Sequence, residues 1–366
     1  MSNKRKRSLL ILLGAFIIIA VILLLIATIG KEKKEVVKVG FIMSGSVTEQ
    51  GWNGKHYEGV KAACESLGVE LVVKENVKEF SDECETAIAE LAKEQVGMII
   101  LSSYNYSEEV KDVVKDYPEI VFYANSSEHH DENMTSYFVR MYQARYMAGI
   151  VAGSKTETGV IGYVAAMNNN EVNRGISAFT LGVKKANPEA KVVVNWTGVW
   201  DNADMEKQCA EQLITECNAD VLTYHQNQPN VVYKAEEMGV FSIGYHEAVE
   251  GVSSKYLMSV VCDWEKVYKE IIRSFLAGTA NEKENYWIGL EADAVGLSPY
   301  SAEVPEKVRK NVEQAREEIL SGREIFSGKI LDNQGNVRCG EKEMISDERL
   351  LEQFDWFVEG VEIYED

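Results

Sequence analysis

A regular alternation of short apolar runs with segments of helical spacing constrains the fold of this 366-residue chain more than any other feature. In the first half, apolar runs at 37–43, 69–73, 97–101 and 120–123 alternate with helical segments at 57–67, 82–94 and 107–116. A second series of similar size runs from 142 to 244. Continuous apolar runs joined by helices are typical of parallel sheets that are covered on both faces. We therefore predict an α/β fold with two doubly wound lobes.

The same pattern predicts how the chain is divided. Residues 1–35 are expected to form a basic tip, a membrane anchor and a short tether. Residues 36–143 with about 262–285 form the first lobe, and residues 144–261 with about 286–366 form the second. The returning segments are assigned in this way because a helix at 264–277 is expected to cross back between the lobes.

The N-terminal segment predicts a membrane anchor. Four consecutive basic residues at 4–7 precede residues 9–29, which are 21 uncharged and mostly apolar residues. At about 1.5 Å per residue, such a helix spans the roughly 30 Å hydrocarbon core of a bilayer. Signal peptides usually have apolar regions of only about 7–15 residues, and residues 27–30 make a poor cleavage site. We expect an uncleaved, single-pass anchor in the cell membrane that places the remaining chain on the extracytoplasmic side.

The charge of the remaining chain excludes several classes of partner. Beyond residue 35 there are 31 basic and 56 acidic residues, a net charge of −25. A strongly negative surface repels nucleic acid and anionic bilayers and provides no basic patch to bind them. The content of 46% hydrophobic and 26% charged residues is that of a folded globular protein. We expect a solvated monomer that binds no nucleic acid.

Three tryptophans follow predicted strands at similar positions. Trp52, Trp200 and Trp264 come after the apolar runs at 37–43 and 191–196 and the run that ends at 261. Open α/β sheets bind ligands outside the carboxyl ends of their strands. A buried Trp can equally fill a lobe interior. Three such positions together favour an aromatic-walled cleft for a flat ligand.

Polar and aromatic side chains follow other predicted strands. Tyr104 comes after the run at 97–101, and His225 and Asn227 come after the run at 219–224. Amides present both donors and acceptors, which suits the mixed edge of a heterocycle. Ordinary loop polarity is the alternative interpretation of each residue. Glu171 either supports a cleft loop or caps the helix that follows it.

Catalytic and metal sites are weakly indicated. Cys262, His225 and His246 lie near predicted strand ends, but nothing around Cys262 resembles a nucleophile elbow. Adjacent histidines at 129 and 130 are poorly placed to share a metal ion. No Walker-type motif or complete dinucleotide fingerprint occurs, so we expect no catalysis, no cofactor and no metal. The six cysteines show no compact framework spacing, and we expect mostly buried thiols, with one bridge left open.

Several ordered motifs resemble the basic membrane protein (BMP) family. They are YQARYMAGIVAG at 142–153, GYVAA at 162–166, GISAFTLG at 175–182, HQNQP at 225–229 and DWFVEGV at 355–361. The resemblance covers nearly all of residues 38–362. It implies a type I periplasmic-binding fold and a substrate-binding protein of an ABC importer, with a permease and an ATPase as partners. Many members of this family bind purine nucleosides or bases.

The resemblance also implies which residues contact the ligand. Nucleoside-binding members carry Asp-x-Ser-Phe-Asn in the first loop, where this chain has an aromatic at Trp52 and an amide at Asn53 but no acid. The family positions that hold ribose hydroxyls correspond to His246 and Cys262, and neither supplies the family's charge. A free base is therefore favoured over a nucleoside. Met167 stands where an aromatic is frequent and can cover a ring face.

We therefore expect an extracytoplasmic solute-binding protein that closes two lobes over a purine-like ligand such as adenine. The expected stacking residues are Trp52, Tyr104, Met167, Trp200 and Trp264, and the expected hydrogen-bonding residues are Asn53, His225, Asn227 and His246. The alternative function is a membrane-tethered sensor or regulator that uses the same cleft.

Overall fold

The computed structural model describes residues 14, 16–21, 36–127, 129–282 and 285–365. The chain divides into two units, Met1–Val37 and Lys38–Asp366. Most of the predicted anchor at 9–29 lies outside the described residues; the part that is described, 14 and 16–21, is helical. In the described ranges no helix is both long enough and apolar enough to cross a membrane.

The first strand–helix series extends from residue 38 to residue 155. Its elements are β1 (Lys38–Ile42), α1 (Trp52–Leu67), β2 (Glu70–Lys74), α2 (Glu83–Lys93), β3 (Met98–Leu101), α3 (Tyr106–Val110), β4 (Val121–Asn125), β5 (Met134–Val139) and α4 (Met141–Lys155). Helix α1 begins five residues before the predicted start at 57, so Trp52 lies in its first turn. The predicted helix at 107–116 is instead the short α3 followed by a 3₁₀ turn at Val113–Asp116.

The second series and the C-terminal segment supply the remaining elements. They are β6 (Val160–Ala165), α5 (Asn170–Ala186), β7 (Lys191–Trp196), α6 (Ala203–Thr215), β8 (Val221–His225), α7 (Asn230–Met238), β9 (Phe241–His246), β10 (Tyr256–Cys262), α8 (Trp264–Leu276), β11 (Asn285–Ile288), β12 (Val295–Leu297), α9 (Glu306–Leu320), β13 (Ile330–Leu331), β14 (Val337–Cys339), α10 (Asp347–Glu352) and β15 (Val361–Ile363). The turn predicted at 333–336 joins β13 to β14, which pair in antiparallel fashion.

The strands form two large sheets. The six-stranded sheet has the order β11-β5-β4-β3-β1-β2, and the seven-stranded sheet has the order β12-β10-β9-β8-β6-β7-β15. All neighbouring strands are parallel except β12, which is antiparallel to β10. The chain passes between the sheets after β5, after β10 and after β11. The α/β class with parallel sheets is thus confirmed, whereas the exact lobe boundaries stay a prediction.

Close helix packing fixes the elements behind the seven-stranded sheet. Helices α4 and α5 pack against each other along much of their length. A Cβ at Gly149 of α4 would lie 2.0 Å from the carbonyl oxygen of Phe179, and one at Gly182 of α5 would lie 2.0 Å from that of Tyr146. Only glycine allows the two backbones to approach this closely. The pair therefore holds α5 at a fixed position, with its N-terminal end beside the carboxyl end of β6.

Candidate ligand-binding cleft

The carboxyl ends of strands from both sheets surround one cavity, which we call the inner cavity. Its atoms enclose about 360 Å³ of empty space, part of it open to solvent. The six-stranded side contributes Ser44, Trp52, Ser103, Tyr104 and Asn125, and the seven-stranded side contributes Glu171, Trp200, His225, Gln226, Asn227 and His246. This is the edge at which open α/β sheets bind ligands.

A wider opening adjoins the inner cavity, and we call it the outer opening. It encloses about 830 Å³ of empty space and shares Ser44, Trp200 and Asn227 with the inner cavity. Asn53 and Met167 line the outer opening and not the inner cavity. The cleft therefore widens from an aromatic inner part towards a more polar mouth.

Trp52 forms one wall of the inner cavity and is held from several directions. Its indole Nε1 donates a hydrogen bond to the carbonyl oxygen of Ser102, at 3.0 Å. On its inner side it packs on His56, with ring centroids 4.0 Å apart. His56 in turn stacks on Trp264 at 3.7 Å and bonds the hydroxyl of Tyr268 through Nδ1. These contacts fix the orientation of the Trp52 ring.

The first turn of α1 joins the two sheets beside the cavity. The first amides of a helix have no partner within the helix, so they need external acceptors. The Trp52 amide donates to the carbonyl oxygen of Asn227 at 3.1 Å, and the Gly51 amide donates to Glu247 Oε1 at 2.5 Å. Lys55 Nζ also lies 3.3 Å from Glu247 Oε2. A carboxylate at a helix N-terminus is favourable, and these contacts hold the cleft closed at this edge.

A buried acid–imidazole pair lies on the seven-stranded side. His225 Nε2 lies 3.1 Å from Glu171 Oε1 and 3.0 Å from the hydroxyl of Tyr245. Burial alone would raise the pKa of Glu171, but His225 and then Arg174 and Arg145 outweigh burial and hold this pKa below its ordinary value. Burial lowers the pKa of His225, and Glu171 offsets part of that effect. The carboxylate is therefore ionised and the imidazole neutral near pH 7.

His246 is held in an uncommon backbone conformation at the end of β9. Its φ is +69°, a left-handed value that few residues other than glycine adopt. The ring packs on Tyr245 with a centroid distance of 3.6 Å, and its Nδ1 is buried without a hydrogen-bond partner. Burial, followed by electrostatic interactions with His225, His56 and Arg145, lowers its pKa well below the ordinary value. A strained, buried and neutral imidazole on a cavity wall is typical of a functional position.

Three more polar atoms on this wall lack partners, and one of them is His225 Nδ1. Gln226 Nε2 donates to Thr197 Oγ1 at 2.7 Å, while its Oε1 is buried without a partner. The indole Nε1 of Trp200 is also buried without a partner. The rings of Trp200 and His225 lie 6.0 Å apart. Buried polar atoms are normally paired, so unpaired atoms in a cavity wall indicate a missing ligand or water.

The structure brings together most of the residues that the sequence singled out. Trp52, Tyr104, Trp200, His225, Asn227 and His246 line the inner cavity, and Asn53 and Met167 line the outer opening. Asn53 is engaged locally, because its Nδ2 donates to Glu49 Oε2 at 2.8 Å. Trp264 is not brought to the cavity. Its indole is buried behind Trp52, with ring centroids 5.5 Å apart.

Five of the lining residues were not among the predicted ligand contacts, although Glu171 was considered as a support for a cleft loop. They are Ser44, Ser103, Asn125, Glu171 and Gln226. Four of them lie at or within two residues of the carboxyl ends of strands, and this position was the available signal; Glu171 lies in the first turn of the helix that follows β6. Glu171 does not cap its helix, because Asn169 does so by accepting from the Val172 amide. Its carboxylate instead reaches the cavity wall.

The thiol and the two imidazoles considered above for a nucleophilic Cys–His site lie in different cavities. Cys262 lines a different cavity of about 930 Å³ together with Asp263 and Arg316, whereas His225 and His246 line the inner cavity. Burial, followed by the charge of Asp263, raises the pKa of Cys262 well above its ordinary value, which disfavours the reactive thiolate. All six cysteines are free thiols. Across the described ranges, no group of three or more His, Cys, Asp or Glu side chains is arranged to hold a metal ion.

Comparisons with known proteins agree with this architecture. A purine-binding protein of Brucella abortus is 29% identical over 335 residues, covering 90% of this chain and 94% of that protein. A protein of Haloferax volcanii, named as a candidate ABC transporter glucose-binding protein, is 30% identical over 336 residues, covering 91% and 82%. The crystal structure of a transcriptional activator of the comK gene from Bacillus halodurans is also similar. It has a TM-score of 0.66 and 26% identity, covering 78% of this chain and 98% of that one.

A family model described as ABC transporter substrate-binding protein PnrA-like matches residues 36–334. The matched range includes every residue of the inner cavity and both sides of the cleft. The fold with parallel sheets is also that of type I periplasmic binding proteins. The chain therefore belongs to the Bmp family of PnrA-like ABC transporter substrate-binding proteins.

Proposed function

We propose that this protein binds a purine-like ligand in the inner cavity and delivers it to an ABC permease and its ATPase. The observation that carries the proposal is the composition of the cavity wall. Two indoles, Trp52 and Trp200, and two neutral imidazoles, His225 and His246, surround one space. Ring faces favour burial of a flat heterocycle, while a few fixed polar groups define its orientation. The similarity to a purine-binding protein supports the same ligand class.

A free nucleobase such as adenine is favoured over a nucleoside. The family positions for ribose hydroxyls correspond here to His246, which burial keeps neutral through its lowered pKa, and to Cys262, which lines a different cavity. Neither residue can supply a charged partner to ribose hydroxyls. A site without such partners gains little from a sugar and must desolvate its hydroxyls.

Binding is proposed to proceed by closure of the two lobes about the three chain crossings. The contacts of the Gly51 and Trp52 amides with Glu247 and Asn227 join opposite sheets, so they form only when the cleft is closed. A ligand that contacts both sides stabilises the closed form by its differential affinity. The uncleaved anchor at 9–29 is part of this proposal and holds the binding domain on the extracytoplasmic side of the cell membrane as a single-pass monomer.

A thermal-shift screen tests the ligand class. The purified chain is heated with adenine, guanine, hypoxanthine, adenosine, guanosine or glucose, because a ligand of the folded state raises the melting temperature. We expect adenine to give the largest shift and glucose none. Larger shifts with nucleosides than with bases would contradict the preference for a free base. A shift with glucose alone would contradict the purine class.

A second candidate function is a membrane-tethered sensor that uses the same cleft. The observation that favours it is the similarity to a transcriptional activator, at 26% identity and a TM-score of 0.66. The two functions differ in what the loaded protein does. Uptake of labelled adenine by cells that depends on this protein supports transport, whereas unchanged uptake with altered transcription on deletion supports the sensor.

A further inference from the structure

The seven-stranded side of the inner cavity presents hydrogen-bond acceptors that the protein itself leaves unused. We propose that Glu171 and Gln226 each accept a hydrogen bond from an N–H group of the bound ligand. The cavity then selects heterocycles that keep free N–H groups and rejects those in which alkylation has removed them. This inference rests on the proposed function and specifies which purines the same site accepts.

The carboxylate of Glu171 has one engaged and one unused oxygen. Its side chain is 6% exposed, and Oε1 accepts from His225 Nε2 at 3.1 Å. Among the described residues, no hydrogen bond to Oε2 is formed. Arg174 and Arg145 with His225 keep the group ionised by lowering its pKa against the effect of burial. An ionised carboxylate can only accept hydrogen bonds, so a ligand beside it must donate.

The free atom of Gln226 is its oxygen, and the surrounding hydrogen bonds fix this assignment. The Thr197 hydroxyl donates to the carbonyl oxygen of Val199 at 2.7 Å, so its single proton is already used. It must therefore accept from the Gln226 side chain, which leaves the amide nitrogen facing Thr197 at 2.7 Å. The oxygen Oε1 remains buried and unpaired. An unpaired buried acceptor costs free energy that a ligand N–H removes.

The two acceptors lie on the same wall at the ends of neighbouring strands. Glu171 is in the first turn of α5, which follows β6, and Gln226 directly follows β8. Strands β6 and β8 are hydrogen-bonded neighbours, with Ala165 opposite His225. Both residues line the inner cavity, so a flat ligand bound there can present one edge to this wall. Adenine carries N–H groups on its amino group and on its imidazole ring, and methylation can remove either set.

Isothermal titration with adenine, 9-methyladenine and N6,N6-dimethyladenine tests this selection. At least one methylated ligand should bind the wild-type chain about tenfold more weakly than adenine, because it leaves a buried acceptor unpaired. The variants Glu171→Gln and Gln226→Met should bind adenine more weakly, and they should discriminate less against the methylated ligand. Glu189→Gln, at an exposed position, is the matched control and should behave as the wild type.

The outcomes separate this inference from the proposed function. If both methylated ligands bind the wild type within about threefold of adenine, or if neither variant alters the discrimination, the acceptor proposal is overturned and purine binding stands. If no purine binds the wild type, both proposals fall. Gln226→Met keeps the test informative if Glu171→Gln fails to fold, because it leaves the charges of Arg145 and Arg174 balanced by Glu171.

Discussion

The indole of Trp52 and the imidazole of His246 meet edge to face across the cleft, with ring centroids 4.8 Å apart and planes at 72°. Trp52 begins α1 beside the six-stranded sheet, and His246 ends β9 of the seven-stranded sheet. The same Trp52 donates its amide to Asn227 of the seven-stranded side. Closure of the cleft and formation of the ligand wall therefore depend on the same residue.

The first prediction concerns stacking by Trp52. Trp52→Ala should weaken adenine binding by about 1–3 kcal/mol, the usual contribution of an aromatic ring stacked on a base, and Trp52→Phe should recover part of it. Titration calorimetry measures both variants. Trp287→Ala removes a half-buried indole whose N–H bonds the Val139 carbonyl and which does not line the inner cavity, so it should leave stacking on the ligand unchanged. Equal losses in Trp52→Ala and Trp287→Ala would argue against a stacking role.

The second prediction concerns Gly51 as the closing point of the cleft. A Cβ at Gly51 would lie 2.0 Å from the carbonyl oxygen of Asn227, and its φ is +74°. Gly51→Ala should therefore favour an open cleft and reduce affinity for the ligand. Gly68→Ala is a control for a positive φ without a close contact: Gly68 has φ of +67° with nothing within 4 Å, so this variant carries only backbone strain of about 1–2 kcal/mol.

Titration combined with small-angle scattering distinguishes these two glycine variants. Gly51→Ala should show weaker binding and a larger radius of gyration than Gly68→Ala. If the two variants bind adenine equally, closure through the Gly51 and Asn227 contact has no role in binding.

The third prediction concerns the charge on Glu247. Glu247→Gln keeps an acceptor for the Gly51 amide but removes the ion pair with Lys55, which is half-exposed. Such pairs contribute about 0.2–1 kcal/mol, and salt screens them. Affinity should fall slightly at low salt and match the wild type at high salt. Glu250→Gln, at an exposed position, should show no salt-dependent difference; a deficit that persists at high salt would contradict the electrostatic explanation.

The fourth prediction concerns acidification. Burial holds the pKa of His246 well below its ordinary value. Near pH 6.5 this imidazole therefore takes up a proton in the unfolded chain but stays neutral in the folded chain. The contribution of His246 to stability is therefore complete above about pH 6.5 and is lost as the pH falls below that value. His56 and His225 act in the same direction, because burial also lowers each pKa.

Urea unfolding at about pH 7.5 and about pH 5.5 measures this effect. His246→Asn should lose less stability on acidification than the wild type, and Asn tolerates the left-handed backbone at this position. His130→Asn, at an exposed position, should lose as much as the wild type. An unchanged pH dependence in His246→Asn would contradict the assignment of a neutral buried imidazole.

Strand and helix periodicity was sufficient to predict the α/β class and the ends of strands where the cavity lies. Trp52, Trp200 and His225 could be located because a residue after a parallel strand lies at the carboxyl edge whatever the rest of the chain does. β5 was not predicted, because its sequence MTSYFV mixes polar with apolar residues although all six are buried.

The sequence did not predict whether a side chain that follows a strand faces the cavity or packs behind its wall. Trp264 follows a strand as Trp52 does, but Asp263 caps α8 there. Helix α8 packs on α1 so closely that a Cβ added to Gly59 would lie 2.5 Å from the Cβ of Trp264. This packing directs the indole behind the wall. The partners of Glu171 and Gln226 come from residues distant in sequence, so their free acceptors follow only from the folded arrangement.

The most direct test of the central claim is a crystal structure of the chain grown with adenine. We expect the purine in the inner cavity, bounded by Trp52, Trp200, His225 and His246, with N–H groups towards Glu171 and Gln226. Adenine bound elsewhere, or a glucose molecule occupying the inner cavity in crystals grown with both compounds, would contradict it.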